Sequence, residues 1–295
     1  MDAADLRIFE SVARNGSMNR AAFELHTVQS NVTARIRLLE EELRAPLFHR
    51  HHRGVELTAA GRRLLPFARQ MARLLDDART AVKDEGVASG PLALGTLETT
   101  AALRMPNVLA EFTLAYPKVE LVVRTGTTAS LLEDVLQYRL DGAFVAGPID
   151  HNDLHAETIF REEMALVTAR GVRSVKDLAQ LGRVKTIVFR QGCSYRVRLD
   201  SVLTRLGLQV STPLEFGSLD AMLGCVAAGV GVTLLPKGVV MAALREGRVA
   251  LHALAPEDAL VETVFVRRRD VYASTALNAF LAIARPVTAP ALLPA

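Results

Sequence analysis

Apolar residues near the start of the chain recur at helical spacing and are cut by single breakers. Leu6, Ile8, Phe9 and Val12 belong to a first helix that Asp5 can cap, running to about Asn15 with Gly16 as its stop. Ser17 caps a second, short helix through Met18-Asn19-Arg20-Ala21-Ala22 that closes near His26. Thr27 caps a third, which carries Ile36, Leu38, Leu39 and Leu43 to its end before Pro46. Leu6, Ile8, Phe9, Val12, Ala22 and Leu25 supply a small core behind them. The pattern then turns from helical to alternating: Leu47-Phe48 and Val55-Glu56-Leu57 read as two short strands with Gly54 at the turn. Thr58 caps a long helix reaching about Glu85, with Pro66 bending its first turns. Along it Leu64, Ala68, Met71, Leu75, Ala78 and Val82 fall at intervals of 4, 3, 4, 3 and 4. Such an a/d seam suits pairing with a copy of itself; the other reading is one amphipathic helix lying on its own domain. Gly86 to Pro91 reads as a hinge.

Beyond the hinge, strands and helices alternate. Strands are expected at 92–97, 119–125, 142–146, 164–168, 186–189, 212–216, 233–235 and 263–267. Helices are expected at 101–116, 130–138, 195–206, 219–228 and 274–283. This order implies an α/β sandwich, and its size suits two similar lobes.

Two short helices joined by a tight turn form a helix-turn-helix, whose second helix enters the major groove of DNA. Thr27 opens that helix, and Gln29, Ser30, Asn31, Thr33 and Arg35 along it are side chains that hydrogen-bond base edges or phosphates. The two strands after it form a wing with a basic tip. Net charge over 295 residues is only +3, but five arginines (Arg44, Arg50, Arg53, Arg62, Arg63) face one acid, Glu56, between Arg44 and Arg63. His49, His51 and His52 sit among them, so the segment can neutralise phosphates, with Arg50 and Arg53 as the wing contacts; a solvated basic loop is the plainer reading. Half the residues are hydrophobic, yet no apolar run reaches the ~20 residues that span a bilayer. No secretory signal is visible, and two cysteines make no disulfide framework, so a cytoplasmic location is expected and no membrane partner.

In order and spacing, the chain resembles the LysR-type transcriptional regulators over essentially its whole length. The matching stretches are Asp5-Leu6-Arg7-Ile8-Phe9, Ser17-Met18-Asn19-Arg20-Ala21-Ala22, Leu39-Glu40-Glu41-Glu42-Leu43, Pro46-Leu47-Phe48 and Leu57-Thr58-Ala59-Ala60-Gly61. Farther on come Tyr116-Pro117, Leu140-Asp141, Ala227-Ala228-Gly229-Val230-Gly231-Val232 and Leu235-Pro236. Val28-Gln29-Ser30 stands where relatives often have Ser-Gln-Pro, and Ala34 where they often have arginine, so a target sequence does not carry over. The resemblance implies an α/β protein with an all-α, winged N-terminal domain: a winged helix-turn-helix over 1–58, a dimerising linker helix and hinge over 59–90, and a two-lobed periplasmic-binding-protein-like effector domain over 91–295. Lobe I would take about 91–161 and 267–295, and lobe II about 162–266. It also implies a homodimer or homotetramer on an imperfect palindrome near a promoter, with RNA polymerase as a further partner. No cofactor is implied beyond a small-molecule effector, a small organic anion, bound between the lobes.

Ligands of open α/β sheets bind beyond the carboxyl ends of strands, at helix starts. Glu98-Thr99-Thr100 follows the first strand, and Gln191-Gly192-Cys193-Ser194 follows the strand ending at Phe189. Hydroxyls and free backbone N–H groups there suit a carboxylate, with Thr127 and Thr128 after the second strand as secondary candidates; each hydroxyl is otherwise a plain helix cap. The resemblance places effector contacts at the same positions, most clearly Thr99 and Thr100. Glu98 either repels an anion, faces solvent, or pairs with Arg190 or Arg196. Cys193, between those arginines at a helix start, would favour its thiolate, which opens the alternative of a thiol-based redox-sensing regulator; Cys225, in the apolar run Met222-Leu223-Gly224-Cys225-Val226, reads as a buried structural thiol. An enzyme is disfavoured, because no P-loop, Gly-x-Ser-x-Gly elbow, His-Glu-x-x-His or Gly-x-Gly-x-x-Gly is present, and His151 and His155 lack a third ligand. A bare solute-binding protein is disfavoured by the N-terminal domain.

Overall fold

The computed structural model describes residues 1–52, 54–84, 86–179 and 183–285. It divides into two compact units, Met1–Glu85 and Gly86–Ala295.

The first unit comprises α1 (Ala3–Asn15), α2 (Met18–Glu24), α3 (Gln29–Glu42), β1 (Phe48–His51), β2 (Gly54–Leu57) and α4 (Ala59–Lys83). Two caps differ from expectation. The N-cap of α1 is Asp2, not Asp5: the Asp2 carboxylate accepts the Asp5 N–H at 2.8 Å and the Asp5 carboxylate accepts the Asp2 N–H at 2.9 Å, a reciprocal box that begins the helix three residues earlier. The N-cap of α3 is Val28, which has no side-chain acceptor, while Thr27 accepts a hydrogen bond from the Asn31 amide at 3.0 Å. Ser17 caps α2 as expected. The core gathers Phe9, Val12, Ala21, Val32, Ile36, Leu39 and Leu47, while Ile8 and Leu25 are only half-buried. Strands β1 and β2 pair antiparallel from Phe48↔Leu57 to His51↔Gly54, so Gly54 lies in the strand rather than at the turn. It has φ 136°, and a Cβ there would sit 2.4 Å from the Gly16 carbonyl oxygen. The Val55 N–H donates to that same oxygen at 3.0 Å, so only glycine lets the wing dock on the α1–α2 turn. Helix α4 continues through Pro66.

The second unit comprises β3 (Gly90–Thr96), α5 (Glu98–Leu103), α6 (Met105–Ala115), β4 (Val119–Thr125), α7 (Thr128–Leu136), β5 (Gly142–Ala146), β6 (Leu154–Ala169), α8 (Val175–Ala179), β7 (Arg183–Val184), β8 (Ile187–Phe189), α9 (Ser194–Arg205), β9 (Gln209–Val210), β10 (Leu214–Phe216), α10 (Leu219–Ala227), β11 (Thr233–Pro236), α11 (Lys237–Arg245), β12 (Val249–His252), α12 (Pro256–Ala259), β13 (Leu260–Arg268) and α13 (Thr275–Ala284). Strand β3 begins inside the expected hinge. The expected helix 101–116 is two helices, α5 and α6, with Arg104 between them and Pro106 in the first turn of the second. The main sheet runs β4–β3–β5–β13–β6–β11, with β12 also on β6. The β4, β3 and β5 strands are parallel, as lobe I of a doubly wound sheet, and β13 is antiparallel to β5 and β6. In lobe II, β8 and β10 are parallel, and Thr186 bridges Val232 to bring β8 beside β11. The strand expected at 164–168 is the end of one long strand, β6: Leu154–Glu163 pairs with β13, and Met164–Ala169 pairs with β11 and β12. Phe112, Phe144, Phe265 and Phe280, all fully buried, pack edge-on in lobe I, with centroids 5.0 Å apart for Phe112–Phe280 and Phe144–Phe265.

Candidate functional site

Two surfaces concentrate the polar chemistry, one in each unit. In the first unit, α3 starts without a side-chain cap at exposed Gln29, Ser30 and Asn31, with the Asn31 N–H donating to the Val28 carbonyl at 3.1 Å. A helix start with short polar side chains suits phosphate and base edges. Two of the expected reading residues turn inward instead. The Thr33 hydroxyl is buried and finds no partner among the described residues. Arg35 is drawn back onto α1, 2.7 Å from the Asp5 carboxylate and 3.1 Å from Asp2, because the α1 capping box places two carboxylates beside it. On the wing, His49, Arg50, His51 and His52 are exposed. The wing is held by Glu40 of α3, whose carboxylate accepts the Leu47 N–H at 2.7 Å and the Phe48 N–H at 3.2 Å and lies 3.3 Å from the Arg50 guanidinium. Sequence reasoning missed Glu40. Its signal is a helical acid seven residues ahead of a strand whose first N–H groups need an acceptor. Arg53 lies outside the described residues.

Helix α4 splits the expected seam. Ala68 is fully buried in the first unit's own core, with Leu64 packed against that core, so neither is free to meet a second copy. Large apolar side chains stay exposed instead at Phe67 (66%), Met71 (37%), Leu74 (61%) and Val82 (86%). With exposed Ala78 they form a stripe spaced 4, 3, 4 and 4. Leu75 is half-buried.

In the second unit, a cavity of about 320 Å³ opens where the strand ends of the two lobes meet. Lobe I contributes Leu97, Glu98, Thr99, Thr125, Gly126 and Thr127, and lobe II contributes Phe189, Arg190, Cys193, Tyr195, Phe216 and Gly217. Glu98, Thr99, Thr127 and Cys193 thus line it as expected from sequence. Thr100 does not; it is buried outside the cavity lining. Thr128, Gly192 and Ser194 join the lobes beside the cavity rather than lining it. The Thr128 and Ser194 hydroxyls are 3.5 Å apart, and the Ala129 N–H donates to the Gly192 carbonyl at 3.3 Å. Within the wall, the Thr99 and Tyr195 hydroxyls are 3.3 Å apart. Burial pushes the Tyr195 phenol up to about 12, so it stays a neutral donor and acceptor. Burial also pushes the Cys193 thiol up, outweighing two backbone N–H groups and the Arg196 charge, so the expected favouring of its thiolate does not hold. Arg196 is taken by Glu215, which removes it as a partner of Glu98. Phe189, Phe216 and Thr125 were missed, although each ends a strand, the position where sheet ligands sit. Among the described residues no His, Cys, Asp or Glu grouping could hold a metal, and no helix is long and apolar enough to cross a membrane.

The family model for the bacterial regulatory helix-turn-helix protein, lysR family, matches residues 3–62, and that for the LysR substrate binding domain matches residues 85–289. The chain belongs to the LysR family. It is a DNA-binding transcriptional regulator with a substrate-binding domain. The HTH-type transcriptional regulator GltR of Bacillus subtilis is 41% identical over 276 residues, covering 94% of this chain and 93% of its own. CzcR of Bacillus anthracis is 39% identical over 281 residues, covering 95% and 96%. Among solved structures, full-length CbnR complexed with its target DNA shares the fold with a TM-score of 0.64 at 23% identity, covering 96% of this chain and 99% of CbnR. A full-length OxyR from Pseudomonas aeruginosa does so with a TM-score of 0.76 at 19% identity, covering 97% and 95%.

Proposed function

We propose that this LysR-family regulator is controlled by a small carboxylate-bearing effector bound between its lobes, and that it has no catalytic role. Residues 1–58 read DNA, 59–90 dimerise the chain and 91–295 bind the effector. The observation that carries this reading is the cavity: hydroxyls from both lobes and the Arg190 guanidinium converge on one space at the strand ends. Gln29, Ser30 and Asn31 read the major groove from the start of α3, and Arg50, with Arg53, lies on the backbone or minor groove. Two chains pair through the α4 stripe on an imperfect palindrome, dimers associate into tetramers, and RNA polymerase is the partner at the promoter. An effector shifts the DNA-bound form only by its differential affinity for the two forms, so it changes the bend or footprint length rather than abolishing binding. The test is to screen small carboxylates and amino acids for those that raise the melting temperature of the full-length protein, then to footprint its promoter DNA with each. Compounds that bind without ever altering the footprint would sink the reading.

A further inference from the structure

The cavity is lined by two charged side chains of opposite sign, Glu98 from lobe I and Arg190 from lobe II. Among the described residues neither makes an ion pair or a side-chain hydrogen bond, while nearby Arg196 is neutralised by Glu215. Arg190 is nonetheless placed. Its guanidinium lies beside Gly217, where a Cβ would be in ordinary van der Waals contact with it, 3.4 Å from Nη2 and 3.6 Å from Cζ and Nε. The same wall carries Thr99 and Tyr195, whose hydroxyls are 3.3 Å apart, and the apolar side chains of Phe189 and Phe216. A plain carboxylate would satisfy Arg190 and meet repulsion from Glu98, and a dicarboxylate would fare worse. An amine alone would reverse the mismatch. The pair is matched only by a molecule with both charges on one small frame.

Resting on the effector reading above, we infer that the effector class is zwitterionic: an α-amino acid or close analogue, its carboxylate on Arg190 and its ammonium on Glu98, with the side chain against the phenylalanines. The cavity is at the lower end of ligand sites, roughly 300–1,000 Å³, which suits a ligand of that size.

The experiment titrates the full-length protein by calorimetry with the common L-amino acids and with their 2-oxo acids, which keep the carboxylate and lose the ammonium. At least one amino acid should bind about tenfold or more tighter than its 2-oxo acid, since losing one charge partner and gaining repulsion from Glu98 costs roughly that factor. Glu98→Gln should collapse the ratio by weakening the amino acid and strengthening the 2-oxo acid; a gain of binding cannot come from misfolding. Arg190→Gln should weaken both. If 2-oxo acids bind wild type as tightly as the amino acids, or Glu98→Gln leaves the ratio unchanged, the zwitterion inference is overturned while the effector cavity stands. If neither class binds wild type, the cavity reading and the inference fail together.

Discussion

Leu74→Glu should dissociate the dimer, although Leu74 lies outside the heptad seam that spacing alone selects. The side chain is 61% exposed on α4, beside exposed Met71 and Phe67. Fully burying a leucine contributes roughly 1.5–3 kcal/mol, so roughly 1–2 kcal/mol remains to be gained per protomer on pairing. A two-fold interface counts it twice, roughly 2–4 kcal/mol per dimer. That corresponds to roughly 30- to 1,000-fold in the dimer dissociation constant. Two glutamates brought together near a two-fold axis add a further penalty. Sedimentation equilibrium over a concentration series gives the constant directly. Ala68→Glu is the contrast: Ala68 is fully buried in its own domain, so glutamate there should unfold the first unit rather than merely split the dimer. A Leu74→Glu protein with the wild-type dimer constant would refute the assignment of this face.

Alanine at Asn31, exposed at the start of α3, should cost ~1–3 kcal/mol on the cognate site and relax preference at one base pair, whereas Arg50→Ala should weaken binding to all sequences and lower the salt slope by about 1; anisotropy titrations over a salt series separate the two. Glu40→Ala strips the acceptor from the Leu47 and Phe48 N–H groups, and should destabilise the first unit by roughly 2–4 kcal/mol in urea unfolding; an unchanged midpoint would show the wing is held otherwise. Thr99→Val should weaken whichever compound raises the melting temperature, and Thr100→Val should not, because only Thr99 lines the cavity; the reverse ranking would misplace the site. Because burial disfavours the Cys193 thiolate, its iodoacetamide labelling in the folded protein should be slower than that of a free thiol and should rise only at higher pH. The same sign means that ionising it opposes folding, so the linked stability falls as pH rises past the unfolded thiol's value. Labelling at the free-thiol rate near neutrality would restore the redox-sensing alternative.

The helix-turn-helix was legible because each of its signals is local: Ser17 as a cap, Gly16 as a stop, and a change of period after Pro46. The errors share one origin, which is that a neighbour distant in sequence changed a residue's role. Arg35 reads as a free groove contact until the Asp2–Asp5 box is folded beside it. Ala68 fits a heptad seam until the first unit's core claims it. Thr99 and Thr100 are adjacent, alike in sequence and both buried, yet only Thr99 lines the cavity, where the Tyr195 hydroxyl of the other lobe meets it. The first half of β6, His155-Ala-Glu-Thr-Ile-Phe-Arg-Glu-Glu, hid from apolar-run counting because it carries charges on the solvent side; Glu157 pairs with Arg285 at 2.8 Å, and Arg161 with Glu262 at 3.1 Å. The effector cavity was half legible, from hydroxyls after strands, while Arg190 and Gly217 became a pair only through the third dimension.

Strand β6 has a mechanical consequence. Its sixteen residues serve lobe I with one half and lobe II with the other, and β13 runs beside it in the same ladder. No flexible loop separates the lobes along that route, so they cannot swing like jaws without breaking peptide hydrogen bonds. Relative motion has to be torsion of a shared ribbon, and the register shift between Thr263 and Val264 is where the ribbon can take up twist with least loss of pairing. The effector then works as a shim in a torsion bar, and the amides of Phe160 to Met164, at the changeover between lobes, are where its load should register as altered hydrogen exchange.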